Sequence, residues 1–153
     1  MASADRSGPE RPSPVPGADQ LNGRAGLAQP FDLSNLYALR SAVAAHAADL
    51  GASGDTLSHL LIIAGELAGN AIRHGGGRGT LRLWRESDAL HCEVRDDGPG
   101  LADLDTVGAA APAPDATGGR GLWIVRQLAD RVEVAPTGAG TAVTAVVALN
   151  QNT

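Results

Sequence analysis

Apolar residues recur with helical spacing in two stretches of the first half of the chain. The first stretch predicts a helix over 33–50, with Ser34 as its N-cap and Gly51 at the position of a C-terminal cap. The second predicts a helix from Asp55, its expected cap, to His74, where a run of glycines ends it. We expect the apolar faces of these helices to be buried: Leu36, Leu39, Val43, Ala47 and Leu50, and Leu57, Leu60, Leu61, Ala64, Leu67, Ala68 and Ala71.

Alternation of apolar and polar residues then indicates β-structure. A hairpin is predicted with its turn at 86–88, and one of its faces should be buried: Leu81, Leu83, Leu90, Cys92 and Val94. A third helix is predicted from about Gly121 to Asp130, followed by strands over 132–135 and 141–149. This order of elements predicts an α+β two-layer sandwich, with helices on one face of a mixed, mostly antiparallel sheet.

Composition divides the chain into a tail and one domain. Four of the nine prolines fall within the first sixteen residues, among Ser, Gly, Asp and Arg, which predicts a disordered tail over residues 1–28. The remaining residues, 29–150, are numerous enough to bury a core of their own, so we expect them to form a single domain.

The charged residues exclude several chemistries, because all twelve basic residues are arginine and the chain contains no lysine. Schiff-base catalysis, the P-loop lysine and the strand lysine of ordinary protein kinases are therefore excluded. The lone Cys92 excludes an intrachain disulfide and a zinc site built from cysteines. A net charge of −5 without a basic cluster argues against nucleic acid and membranes as partners. The N-terminus does not look like a signal peptide, which predicts a cytoplasmic protein.

Polar residues interrupt the second helix near its C-terminal end. Glu66 and Asn70 are one turn apart, and Arg73 and His74 continue the same flank. An amide oxygen is a good ligand for Mg²⁺, and a carboxylate one turn away can take a proton from a nucleophile. Taken alone, such a stripe is more often solvated surface. Two glycine clusters follow, at 96–100 after a buried strand and at 117–122 before the third helix, where backbone amides can approach a phosphate.

These segments together resemble the ATP-binding boxes of the GHKL ATPases, the superfamily of gyrase, heat-shock chaperone, histidine kinase and MutL type. The stretch 66–75 resembles the N box, Asp96-Asp97-Gly98-Pro99-Gly100 the Asp-x-Gly-x-Gly box, and Gly119-Arg120-Gly121-Leu122 the second glycine box. Gly140-Thr141 is similar to the final Gly-Thr element. The resemblance covers about residues 30–149 and implies a Bergerat ATP-binding fold. The stretch 119–130 looks most like the stand-alone bacterial anti-sigma factor kinases.

The resemblance implies ATP and Mg²⁺ as cofactors and a role for each matching position. Asn70 would hold Mg²⁺ between the phosphates, and Glu66 would be the general base that takes the proton of a serine hydroxyl. Asp96 would bind the adenine amino group, and Thr141 would support the base from the sheet. The glycines of the first box would let adenine lie close to the backbone, and those of the second would cradle phosphates. The other positions expected at the nucleotide are Arg73, His74, Gly98, Gly100, Gly119, Arg120, Gly121 and Leu122.

The resemblance leaves two functions open. One is a serine/threonine kinase that binds a sigma factor and phosphorylates an anti-anti-sigma antagonist, so that transcription is regulated by partner switching; this class favours a homodimer. The alternative is a nucleotide-gated module that sequesters a partner without phosphorylating it, which a lysine-free lid rich in alanine and proline at 109–114 would favour. A histidine-kinase catalytic domain fits less well, because the short tail cannot hold a dimerisation helix pair.

The remaining histidines and aromatic residues are expected to be structural. His46, His59 and His91 lie on predicted exposed faces and lack metal-ligand spacing. Trp84, on the outer face of the hairpin, fits either local packing or a partner surface.

Overall fold

The fold is a single sheet with helices packed on one side of it. The computed structural model describes residues 26–98, 120–138 and 140–149. In chain order these form β1 (Leu27–Asp32), a 3-10 turn (Leu33–Asn35), α1 (Leu36–Asp49), α2 (Gly54–His74), β2 (Arg78–Glu86), β3 (Ala89–Asp96), α3 (Arg120–Leu128), β4 (Arg131–Pro136) and β5 (Thr141–Ala148). The strands lie in the order β1-β2-β3-β5-β4.

The predicted α+β two-layer class is confirmed, with one difference in the sheet. Every pairing among the described strands is antiparallel, whereas the prediction allowed a mixed sheet. The two helices α1 and α2 connect β1 to β2 and return the chain in the opposite direction. A short turn then connects β2 to β3, so this pair is also antiparallel. The third helix and the last two strands lie where the pattern placed them, within two residues at each end.

β1 is the element that the sequence pattern missed, and it begins inside the predicted tail. It lies at the edge of the sheet and contains Pro30. An edge strand tolerates proline because one of its sides forms no ladder hydrogen bonds. Leu27 and Phe31 are buried on the same face of this strand, and Phe31 pairs with Gly79 in the register. Most of the predicted tail, residues 1–25, lies outside the described residues.

Asp32 caps the 3-10 turn that leads into α1, and Asn35, rather than the predicted Ser34, is the N-cap residue of α1. The Asp32 carboxylate accepts a hydrogen bond from the Ser34 amide at 2.8 Å, and Asn35 Oδ1 accepts one from the Asp32 amide at 2.8 Å. This reciprocal arrangement is a capping box, which satisfies donors that the first turn leaves unpaired. At the other end of α1, Gly51 has a φ of +114°, as expected of a C-terminal cap.

The core lies between the helices and one face of the sheet. α2 is its central helix and begins at Gly54, with Ser53 rather than the predicted Asp55 at the N-cap. Burial of Cys92 in this core raises the pKa of its thiol to about 12. Within the described ranges no helix is long and apolar enough to cross a membrane. The fully buried larger side chains are Leu39, Leu60, Ile63, Leu67, Leu81, Leu83, Leu90, Leu122, Val43, Val125 and Cys92.

The other face of the sheet carries polar and aromatic side chains. The rings of Trp84 and His91 stack, with centroids 5.3 Å apart and an interplanar angle of 15°. The Trp84 indole also donates a hydrogen bond to Glu86 Oε1 at 3.3 Å. Trp84 therefore has local packing partners on this face.

Candidate functional site

The polar flank of α2 faces the start of α3. Glu66 and Asn70 are half-buried, and the second residue of α3, Gly121, lies against both of them. A Cβ on Gly121 would be 2.9 Å from Glu66 Oε1 and 3.1 Å from Asn70 Oδ1. A side chain at 121 would have to displace the ends of the Glu66 and Asn70 side chains, so glycine favours this close approach of α3.

Arg73 folds back along α2 and contacts Asn70. Its Nη2 donates a hydrogen bond of 2.9 Å to Asn70 Oδ1. The guanidinium passes over Gly69, where a Cβ would lie 3.1 Å from Arg73 Nη1. A glycine inside a helix costs about 1 kcal/mol relative to alanine, and this close approach is a physical reason for its presence here.

Asp96 ends β3 and faces the C-terminal end of α2. Its Oδ1 accepts a hydrogen bond of 2.9 Å from the Gly98 amide. Burial raises the pKa of the Asp96 carboxyl above its ordinary value, and the neighbouring Asp97 adds to this increase. The backbone amides of Gly98 and Thr141 oppose the increase because they stabilise the ionised form. Asp96 is thus a half-buried carboxyl that hydrogen bonds hold in place.

Three glycines allow the chain to pack closely around Asp96. A side chain on Gly75, which ends α2, would overlap the Asp96 carboxyl group. A side chain on Gly98 would overlap the backbone of Gly75, and one on Gly140 would overlap the Asp96 carbonyl. These contacts bring the end of α2, the turn after β3 and the start of β5 together around one carboxylate.

Thr141 lies opposite Asp96 in the β3–β5 register. The residue is 3% exposed, and its Oγ1 has no hydrogen-bond partner among the described residues. A buried hydroxyl without a partner costs about 1–3 kcal/mol, so such groups are rare in folded proteins. An unpaired hydroxyl beside a half-buried carboxyl is a polar arrangement that a bound ligand would satisfy.

A small pocket that opens to solvent joins these residues. Most of its wall is apolar, and a few polar groups converge on it, which is the usual composition of such a site. Its lining residues are Leu67, Asn70, Ala71, His74, Val94, Asp96, Leu122, Thr141 and Val143.

The structure brings together most of the residues that the sequence predicted. Five of them line the pocket: Asn70, His74, Asp96, Leu122 and Thr141. Glu66 and Gly121 meet beside Asn70, while Arg73 contacts the Asn70 side chain, and Gly98 contacts Gly75. Gly100, Gly119 and the side chain of Arg120 lie outside the described residues.

Sequence reasoning gave no role to Gly75 or to the apolar wall of the pocket. Gly75 ends the stretch that resembles the N box and begins the run of glycines that predicts a helix stop, but neither signal indicates its contact with Asp96. The signal for Val94 and Val143 was their alternation, which marked them as core residues without showing that a pocket opens beside them. The packing of Gly75 against Asp96 and the pocket beside Val94 and Val143 both depend on contacts between segments that are distant in the sequence.

Comparison with known families agrees with this geometry. Residues 29–147 match the family model of the histidine kinase-like ATPase domain. The matched range contains α2, the turn after β3, the start of α3 and most of β5, and therefore every described residue of the site. A comparison with curated proteins gives no match.

Proposed function

The chain belongs to the histidine kinase-like ATPase domain family, and we propose that it is a serine/threonine protein kinase of the anti-sigma-factor type. ATP binding follows from the family. The proposal adds that the chain binds a sigma factor and that the phosphate acceptor is a serine of an anti-anti-sigma partner. A homodimer is the proposed assembly. The resemblance of the stretch 119–130 to stand-alone anti-sigma factor kinases supports this choice within the family.

The chemistry of the residues that line the pocket suits an adenine base. The Asp96 carboxylate accepts hydrogen bonds, so it can bind an exocyclic amino group. The Thr141 hydroxyl, which lacks a partner among the described residues, can bind the same edge of the base directly or through water. Leu122 and Val143 provide apolar contacts for the flat faces of the ring.

The donor set beside the pocket also fits Mg²⁺ bound together with phosphate. Magnesium in proteins commonly takes one or two protein oxygens and completes its coordination with phosphates and water. Asn70 Oδ1 is such an oxygen, and the Glu66 carboxylate is one turn away. Within the described ranges, no three His, Cys, Asp or Glu side chains are grouped to hold a metal by themselves. Bound there, Mg²⁺ would neutralise phosphate charge.

Glu66 is placed to act as the general base. Its Oε1 lies against Gly121, at the N-terminal end of α3, where helix amides and the helix dipole favour phosphate. A serine hydroxyl that attacks the γ-phosphorus from this side would transfer its proton to Glu66 as the new oxygen–phosphorus bond forms and the bond to ADP breaks. This placement of Glu66 beside Asn70 and Gly121 is the observation that carries the proposal.

The proposal is tested in two steps. Isothermal titration with ATP, with and without Mg²⁺, measures binding by the full chain. Transfer of ³²P from ATP to purified anti-anti-sigma proteins of the same genome then measures kinase activity. Glu66→Gln should leave ATP affinity within about threefold but reduce phosphotransfer at least about 100-fold, since it removes only the base. Glu133→Gln, an exposed carboxylate on β4 paired with Arg131, is the matched control and should leave both unchanged.

The outcomes separate the two functions that the sequence left open. Equal phosphotransfer by Glu66→Gln and the unmodified protein would remove Glu66 from the role of base. ATP binding that alters partner affinity without any phosphoserine on the partner would replace the kinase with the nucleotide-gated binding module. An absence of ATP binding by the unmodified chain would overturn both functions.

A further inference from the structure

The hydrogen bond between Arg73 and Asn70 occupies the oxygen that a metal would need. Asn70 Oδ1 accepts from Arg73 Nη2 at 2.9 Å. Under the proposed function, the same oxygen is the protein ligand for Mg²⁺. A guanidinium and a divalent cation on one amide oxygen repel each other strongly at this distance. Arg73 must therefore leave Asn70 before a metal can bind there.

Arg73 is exposed and has a neutral hydrogen-bond partner in this arrangement. Among the described residues it forms no ion pair within 4 Å, and its polar partner is the amide of Asn70. Phosphate is a better partner for a guanidinium than an amide, because it is charged and accepts two parallel hydrogen bonds. A nucleotide phosphate near Asn70 therefore favours the release of Arg73, whereas a metal arriving alone gives Arg73 no new partner.

Gly69 lies beneath the guanidinium of Arg73. A Cβ at this position would be 3.1 Å from Arg73 Nη1, so the end of the arginine side chain would have to shift by a few tenths of an ångström. Gly65, one turn earlier in the same helix, has open space at its Cβ position. The two glycines are therefore matched positions at which an added methyl group does or does not meet Arg73.

We propose that Arg73 is a positioning residue that holds Asn70 Oδ1 until a divalent cation takes that oxygen, and that Arg73 then moves to phosphate. Arg73 thereby competes with the metal for this oxygen and couples the binding of metal and nucleotide. This inference rests on the proposed function for the identity of the ligands. It goes beyond that function in assigning Arg73 and Gly69 to the order and coupling of binding.

The test measures metal and nucleotide binding rather than activity. Mn²⁺ binding is followed by electron paramagnetic resonance, with and without a non-hydrolysable ATP analogue, and the coupling is the ratio of the two dissociation constants. Arg73→Ala should reduce this coupling by about tenfold, because the metal alone then meets no competitor and the phosphate loses a cation. Gly69→Ala should reduce it severalfold while analogue affinity in the absence of metal is retained, because the charge of Arg73 remains.

Matched variants control for charge and for helix propensity. Arg40→Ala removes an exposed arginine of α1, and Gly65→Ala makes the same glycine replacement where nothing lies within 4 Å. Neither should change the coupling, and thermal unfolding followed by circular dichroism verifies that each variant is folded.

The failure of this inference is distinct from the failure of the proposed function. If Arg73→Ala weakens analogue binding but leaves the coupling unchanged, Arg73 is only a phosphate-binding cation and the inference is overturned. If Gly65→Ala changes the coupling as much as Gly69→Ala, the effect is one of helix propensity, which also overturns it. If the unmodified chain binds no nucleotide, the proposed function itself fails.

Discussion

Gly121 and Glu66 are in contact although they are far apart in the sequence: a Cβ on Gly121 would lie 2.9 Å from Glu66 Oε1. The contact joins the second glycine box to the N box. It places the N-terminal end of α3, where backbone amides are available to an anion, beside the carboxylate proposed as the base. A methyl group at 121 would have to displace the ends of the Glu66 and Asn70 side chains, so the glycine favours this close approach.

Gly121→Ala should weaken ATP binding and lower the melting temperature. The added methyl group would meet Glu66 and Asn70, and overpacking of this kind costs about 1–3 kcal/mol. Isothermal titration and thermal unfolding measure the two effects. Gly138→Ala, in the turn between β4 and β5, has nothing within 4 Å of its Cβ and serves as the control. Normal ATP affinity in Gly121→Ala would show that α3 does not need this approach.

Thr141→Val should stabilise the nucleotide-free protein and weaken ATP binding at the same time. Oγ1 of Thr141 has no partner within the described residues, so its removal relieves a desolvation cost of about 1–3 kcal/mol. Urea unfolding measures the stability, and titration with ATP measures the affinity. Thr144→Val, on the other face of β5, is the matched control. A loss of stability in Thr141→Val would mean that the hydroxyl already has a partner.

Asp96→Asn should change the pH dependence of stability. Burial raises the pKa of Asp96, so the folded protein binds this proton more tightly than the unfolded chain does. The resulting stabilisation is complete below the ordinary pKa of 3.8 and is lost as the pH rises through the folded-state pKa. The variant should therefore gain stability relative to the unmodified protein at neutral pH, and this advantage should disappear on acidification.

Urea unfolding at several pH values between 3.5 and 7.5, in steps of about one pH unit, tests this sign. Asp88→Asn, in the exposed hairpin turn, controls for the loss of a charge. ATP affinity should fall in Asp96→Asn because the proposed adenine acceptor becomes an amide. Lower stability of Asp96→Asn at neutral pH would contradict the proposed effect of burial.

Gly75→Ala and Gly65→Ala should act in opposite directions on stability. A methyl group at 75 would lie 2.5 Å from Asp96 Oδ2, so the carboxyl group must move, at a cost of about 1–3 kcal/mol. A methyl group at 65 meets open space, and alanine stabilises a helix interior by up to about 1 kcal/mol. Thermal unfolding of both variants measures the difference. Similar melting temperatures would show that Asp96 adapts without cost.

The sequence by itself determined the helices and the hairpin, and it predicted the positions proposed for the chemistry. Local periodicity places Glu66 and Asn70 on one flank of a helix and Asp96 at the end of a buried strand, because both patterns depend only on neighbouring residues. The family resemblance assigned their roles. The sequence pattern did not predict the edge strand β1, because proline has a low propensity for strands. The pairing of β1 with β2 compensates for the low strand propensity of Pro30.

Tertiary structure alone decided the contacts between these segments. The approach of Gly121 to Glu66, the packing of Gly75 and Gly140 around Asp96, and the burial of an unpaired Thr141 hydroxyl all join residues that are distant in the chain. No local sequence pattern predicts these contacts. A glycine looks the same in the sequence whether it ends a helix or leaves space for a neighbouring side chain. The contact of the Arg73 guanidinium with Gly69 cannot be predicted from the sequence either, because it depends on the rotamer of the Arg73 side chain.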